Sequence, residues 1–349
     1  MIPYEPWVSW RDVHPLHRGR WEEVDREAAR LIGAPGVAIP SVRMGICWTL
    51  EYLGCLRHAD HVLVPRFMGR CILNAINRVA FPVEGPTPKT RAVIAVHQFG
   101  LRQELEQVAG ECARRGLPYL EDSPFGLAPH EGPGPGSLVK LVGFAKVLPV
   151  LKGGFAMSTD EQLLQAFRAK RAMSSPWSWA VLAALTALRH RRRAAPASIL
   201  AEIAYELYPA SGGDNAILRG NVLSALRQAD VYERVVQERL AVIQAQLGPR
   251  ALRPDATRLA YVVPWLAEGD ETLDRAVEAV FARHGFDATR YHVDVNRNLF
   301  APDYRLAWLI PLNPSLPDRV FVPLIRDLRA LAASPAPQGA FDEPSHCRR

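Results

Sequence analysis

Lysine is scarce in this 349-residue chain: only five of its 42 basic residues are lysine. Cysteine is sparse too, and the five present (Cys47, Cys55, Cys71, Cys112 and Cys347) form no CxxC pair and are odd in number. That excludes a disulfide framework and a cysteine-built metal site as first readings, and it fits a reducing cytoplasm. No apolar run approaches the ~20 residues that a bilayer span requires. The start, MIPYEPWVSWRDV, lacks the basic and apolar regions of a leader, so a soluble protein without a transmembrane segment is expected. Zinc-finger spacing and the aromatic signature of RNA-binding sheets are both missing. The net charge of +6, spread on arginines along the whole chain, therefore points to an anionic small molecule rather than nucleic acid.

What is present is apolar substance. Hydrophobic residues make up 48% of the chain, enough to bury one large domain and a smaller one. Three of the five lysines, Lys140, Lys146 and Lys152, fall in one stretch, GSLVKLVGFAKVLPVLKGG, residues 136–154. A lysine set among Phe144, Ala145, Val147 and Leu148 loses hydration, which disfavours the ammonium and leaves an amine able to attack a carbonyl. Such an amine can hold an aldehyde cofactor as a Schiff base. The same stretch is open to a second reading, in which the lysines snorkel from a half-buried strand. Lys152, beside Gly153, is expected on an exposed turn with a solvated, protonated ammonium.

Along the chain, residues 1–20 carry three prolines with Trp7 and Trp10 and read as an arm. WEEVDREAARLI places Val24, Ala28, Leu31 and Ile32 at helical spacing. VAIP is a short strand, and Ser41 caps the helix in SVRMGICWTLEYLG. Amides at such a helix start can hold a phosphate, with Arg43 adding a charged fork, although the cap alone would account for the serine. HVLVP, PVEG, AVIAVHQFG and LPYLED read as strands between helices, a rhythm of alternating strand and helix. LPYLED delivers Glu121 and Asp122 at a strand end, where open parallel sheets bind ligands. Only one of the two can face the pocket, and Asp122 is the choice. It either caps a turn or pairs with a protonated ring nitrogen.

Read in order, SVRMGICWTLEYLG, HVLVP, AVIAVHQFG, RRGLPYLEDSPFG, GFAKVLPVLKGGFAMSTDEQL and GNVLSALRQAD resemble successive landmarks of the DegT/StrS-type sugar aminotransferases. The resemblance covers about residues 15–330. It implies an α/β protein of aminotransferase fold type I, with a large α/β/α sandwich around a mostly parallel sheet and a smaller C-terminal α+β domain. It also implies pyridoxal 5'-phosphate on Lys146, whose distance to Gly153 and Gly154 suits the pattern, with Asp122 on the ring nitrogen and Ser41, Val42 and Arg43 at the phosphate. His97, Gln98, Phe125 and Asn221 fall at cofactor positions of the pattern, Phe67 lies near a further one, and no metal is implied. Departures accompany the matches. Val42 and Arg43 replace Gly-Thr after the serine, Phe125 stands where a polar residue is usual, Gly143 replaces a serine before the lysine, and Gly69 stands where an aromatic is expected.

The remaining segments complete the expectations. STDEQL is a capping box with Ser158 or Thr159 as cap. Residues 175–215 contain an unusual helical segment, apolar and then basic, that docks on the protein or rests on an anionic lipid surface. VLSALRQADVYERVVQERLAVIQAQLG reads as one long helix. YHVDVNRNLF reads as a connection whose His292, Asp294, Arg297 and asparagines either contact a substrate or stand in a solvated loop. The expected division is an arm at 1–20, a large cofactor domain at 21–248, a small domain at 249–335 and a disordered tail at 336–349. The resemblance further implies a homodimer using an amino acid donor and a nucleotide-linked keto sugar. The departures keep open a cofactor-binding protein with altered or lost turnover, or a non-sugar acceptor.

Overall fold

The computed structural model describes residues 19–127, 132–150, 152–172, 216–255, 258–267 and 271–332. The arm up to residue 18, the whole segment at 175–215 and the tail at 336–349 lie outside the described residues.

The chain opens with α1 (Trp21–Ile32), which buries Val24, Ala28, Leu31 and Ile32 and ends at Gly33, whose φ of 80° is left-handed. It continues with β1 (Val37–Ile39), α2 (Val42–Tyr52), β2 (His61–Leu63), α3 (Arg70–Ile76), β3 (Phe81–Val83) and β4 (Thr90–Val96). Next come α4 (Leu105–Arg115), β5 (Tyr119–Ser123), the short β6 (Gly126–Leu127), β7 (Ser137–Gly143), β8 (Gly154–Met157) and α5 (Glu161–Ala172). The last described part comprises α6 (Ala216–Arg227), α7 (Ala229–Leu247), β9 (Leu259–Ala260), β10 (Val262–Leu266), α8 (Glu271–Arg283), β11 (Arg290–Asp294), β12 (Tyr304–Pro311) and α9 (Asp318–Ala332).

Seven strands form the large sheet in the order β1-β8-β7-β5-β4-β2-β3. Four neighbouring pairs are parallel, and β8 runs antiparallel to both β7 and β1. Alternate residues of the central strands face two apolar layers. Val62, Ala92, Ile94 and Leu120 pack with residues of α2, α3 and α5, whereas Leu63, Val93, Ala95 and Tyr119 pack with residues of α4. Burial on both faces is what the continuous apolar runs of these strands require. β10, β12 and β11 form a separate antiparallel sheet, whose Val262, Trp265, Trp308 and Ile310 join a core shared with α1, α6, α7, α8 and α9.

A buried ion pair ties the first layer together. Arg171 of α5 donates to both carboxylate oxygens of Asp25 at 2.6 and 2.8 Å and to the Ala38 carbonyl at 3.0 Å. Asp25 in turn accepts the Ala38 N–H at 2.7 Å. Helices α1 and α5 are thereby locked to strand β1.

Three local expectations are corrected. The cap of α5 is Asp160, whose Oδ1 accepts the N–H groups of Gln162 and Leu163; Ser158 is engaged instead with the Leu138 carbonyl and the Asp160 N–H. The single long helix is two, α6 and α7, separated at Gln228, which lets α6 lie on α1 while α7 meets α9. The first four residues of YHVDVNRNLF belong to strand β11, paired with β12. Asp294 ends that strand by accepting the N–H groups of Asn296, Asn298 and Asp303, so its polar groups build a turn.

Candidate active site

Strand β5 carries its two carboxylates on opposite faces. Glu121 turns into structure, where it accepts from His97 Nε2 at 3.0 Å and from the Gly134 N–H at 2.6 Å. The Gln103 N–H donates to His97 Nδ1 at 3.1 Å, which puts the imidazole proton on Nε2. Burial pushes the Glu121 carboxyl up, but the His97 hydrogen bond, the charge of Lys140 and the Gly134 N–H outweigh it and hold it below its usual value. Asp122 is the reverse case. It is 1% exposed, and neither carboxylate oxygen has a hydrogen-bond partner among the described residues. Burial pushes this carboxyl up to about 7 even though the positive charge of Lys146 pulls it down.

Lys146 lies in the connection between β7 and β8, beyond the C-terminal end of β7. Its Nζ rests 3.7 Å from the centroid of the Phe125 ring and 5.3 Å from that of Tyr261. Phe125 is itself braced by Phe99 at 4.9 Å. Two aromatic faces around an ammonium stabilise it by about 0.5–2 kcal/mol. They replace the polar contact expected beside the aspartate.

Helix α2 begins next to this cluster. Ser41 is its cap, with Oγ accepting the Met44 N–H at 3.3 Å. Val42 is buried and turned toward the β7–β8 pair: a Cβ on Gly143 would lie 3.3 Å from Val42 Cγ2, and one on Gly154 3.5 Å from it. Arg43 is half-buried on the first turn. The expectation of an exposed Lys152 is corrected. Lys152 is 6% exposed, and burial together with the charge of Arg43 lowers its ammonium to about 7. A charged residue before Gly-Gly reads as a solvated turn, but here the following glycine lies against Val222 of α6 and Phe144.

The other site candidates occupy different places. Asn221 of α6 donates to the Pro149 carbonyl at 3.4 Å, bracing the Lys146 connection from behind. Gln98 donates to the His292 carbonyl at 2.8 Å and accepts the Asp294 N–H at 3.3 Å, clasping β11. Phe67 stacks on His292 at 3.9 Å and meets Tyr304 edge-on at 4.8 Å. His97 and Gln98 thus serve as framework at the strand ends, and Phe67 belongs to a contact with the smaller sheet. Asp122, Phe125 and Lys146 form one group, and Ser41 and Arg43 stand at the start of α2, which meets β7 through the Val42–Gly143 contact. Tyr261, which faces Lys146, was not legible as a site residue.

The pyridoxal phosphate implied by the resemblance fits these residues. A buried carboxylate with no partner is costly, and a protonated pyridine nitrogen would satisfy it. The lysine that influences it stands three residues beyond the neighbouring strand.

Residues 84–179 match the sequence profile of the DegT/DnrJ/EryC1/StrS aminotransferase family. No curated protein sequence matches the chain. Among solved structures, the aminotransferase TlmJ from Streptoalloteichus hindustanus is similar at 19% identity and a TM-score of 0.62, over 95% of this chain and 99% of that one. DesI in the presence of its TDP-sugar product is similar at 16% identity and a TM-score of 0.63, over 95% and 93%. NtdA from Bacillus subtilis with bound cofactor PMP is similar at 13% identity and a TM-score of 0.59, over 94% and 79%. Identities this low carry the fold, which is the α/β arrangement of pyridoxal-phosphate fold type I. The profile match, across β5, β7 and the lysine connection, is to an aminotransferase family, and the proteins that share the fold include an aminotransferase and one with PMP bound.

Proposed function

We propose that the chain transfers an amino group from an amino acid donor such as glutamate to a keto sugar carried on a nucleotide, working as a cytoplasmic homodimer. The observation that carries the reading is the buried, unpartnered carboxylate of Asp122 beside the charge of Lys146. Pyridoxal phosphate, when bound, supplies an electrophilic carbon conjugated to an electron sink. Lys146 would hold the cofactor and, once released by the incoming amine, carry the proton that leaves the donor carbon. Asp122 would keep the proton on the ring nitrogen. Phe125 and Tyr261 would flank the lysine with aromatic faces, and Ser41 and Arg43 would orient the phosphate. The sugar acceptor is supported by the family profile and by the TDP-sugar product named for DesI.

A second reading, cofactor binding with lost turnover, is favoured by Phe125, whose ring lies against Lys146 Nζ where a polar group is usual. The visible spectrum separates the two. A yellow protein whose colour bleaches on adding glutamate supports transamination; lasting colour supports a binder; a colourless protein that takes up no cofactor contradicts both. A panel of nucleotide-linked keto sugars with the amine-loaded protein then tests the acceptor.

A further inference from the structure

Among the described residues, the two non-glycines with left-handed backbone meet at one junction. Phe99 has a φ of 55° and a ψ of 27°, and Arg297 a φ of 52°. Asp255 ties their two turns together: its N–H donates to the Gly100 carbonyl at 2.9 Å, and its Oδ2 accepts from Arg297 Nη1 at 2.8 Å. On the other side of Phe99, Gln98 is fixed by its two bonds to β11. Strain of this kind persists only where the surroundings over-determine it, and it gathers at working sites. A glycine would make the turn without strain, as Gly100 does next door with a φ of 81°. What a glycine could not supply at residue 99 is the ring.

We infer that Phe99 is a positioning residue for Lys146, acting through the ring of Phe125. The inference rests on the pyridoxal phosphate reading above and adds a residue not counted among its cofactor positions. Phe99 is 4% exposed, and its ring packs on those of Phe125 at 4.9 Å and Tyr291 of β11 at 5.5 Å. The backbone of Phe125 is already fixed, because its carbonyl accepts the Tyr261 N–H at 3.0 Å and the next residue, Gly126, pairs with Ala260. Only the side chain of Phe125 is left to be placed. Phe99 and Tyr261, the latter at 5.9 Å, both pack on that ring, whose position puts it 3.7 Å from Lys146 Nζ. Lys146 extends from a connection rather than from a strand, so the aromatic face it meets limits where its amine can sit. An amine held in one place reacts faster with a bound aldehyde than one that wanders. Phe99 stands one ring removed from the lysine and takes no part in the chemistry.

The test separates ligands that do and do not bond to the lysine. Pyridoxal 5'-phosphate condenses with Lys146 Nζ, forming a C=N bond and releasing water; pyridoxamine 5'-phosphate carries an amine in place of the aldehyde and binds without that bond. Apoprotein of the wild type, Phe99→Ala and Phe99→Leu is titrated with both, and borohydride quenching followed by peptide mass analysis times the appearance of the label on Lys146. Phe99→Leu keeps apolar bulk at this buried position, so it decides the matter if Phe99→Ala does not fold. Bond formation should slow about ten- to a hundred-fold in the variants, while affinity for pyridoxamine 5'-phosphate stays at the wild-type value. In a Phe125→Leu protein, Phe99→Leu should add no further slowing, since the route to the lysine is already cut. Labelling of Phe99→Leu at the wild-type rate overturns the inference while the cofactor reading stands. An equal loss for both ligands, tracking a lowered melting temperature, also overturns it and leaves Phe99 as packing alone. Undiminished slowing by Phe99→Leu in the Phe125→Leu protein overturns the route through Phe125. If wild type takes up neither ligand, or the label falls on another lysine, the cofactor reading falls and the inference falls with it.

Discussion

Val42 and Gly143 share one space. A methyl group added at residue 143 would meet Val42 Cγ2 at 3.3 Å and the Pro124 Cα at 3.2 Å. The two departures from the family pattern, valine after the capping serine and glycine before the lysine, are therefore one packing event. The larger residue on α2 fills what the smaller one on β7 vacates.

Gly143→Ala should accordingly destabilise the protein by about 1–3 kcal/mol, the usual cost of overpacking. Val42→Ala in the same chain should recover part of it, because one of the two contacts disappears and the backbone of Pro124 remains. Thermal unfolding of the two single variants and the double variant measures this coupling. Additive effects would show that the two positions do not compete for space.

Asp122 gives a pH signature in the cofactor-free protein. Its carboxyl is raised from 3.8 to about 7, so the folded state holds a proton that the unfolded state releases between those values. Stability contributed by this group is present at low pH and is lost as pH rises toward 7. A shift of this size corresponds to roughly 4 kcal/mol. Asp122→Asn should therefore leave apoprotein more stable than wild type at pH 8, with the gap closing toward pH 4. Pyridoxal phosphate should stabilise the wild type more than the variant. Denaturant titrations across pH check both statements; a gap independent of pH would contradict them.

Much of the fold was legible because it is written in apolar runs. VAI, HVL, TRAVIAV and YLEDS are strands, and Glu121 and Asp122 diverge as a period of two requires. The matched landmarks likewise singled out Lys146 and Asp122 as candidates. What escaped was set by contacts between segments distant in the chain. Tyr261 reaches Lys146 from the strand region after α7. Lys152 looks solvated beside two glycines until α6 and Val42 close over the loop. Asp160 took the cap from Ser158 because the serine hydroxyl reaches back to the Leu138 carbonyl, a choice that local propensity does not record.

Arg43→Ala tests the phosphate contact on the helix side. Cofactor retention should weaken by ~1.5–3 kcal/mol, as expected for a charged hydrogen bond. Equilibrium titration of the apoprotein measures it, and unchanged affinity would remove Arg43 from the site.

Arg171 is a structural counterpart with no part in the chemistry. Its side chain is 5% exposed, against 20% for Asp25. Arg171→Ala would leave Asp25 half-buried with only the Ala38 N–H, and breaking such a pair costs about 3–5 kcal/mol. A lowered melting temperature with unchanged cofactor affinity in the surviving folded fraction is the expected outcome. A melting temperature equal to wild type would mean that Asp25 finds another partner.

The central claim is that Lys146, not its neighbours on the same stretch, holds the cofactor. Borohydride reduction of the cofactor-loaded protein, followed by peptide mass analysis, tests this directly. The account predicts a pyridoxyl label on Lys146 alone, and loss of both colour and glutamate-driven bleaching in Lys146→Ala. A label on Lys152 or Lys140, or a Lys146→Ala protein that still exchanges its amino group, would contradict it.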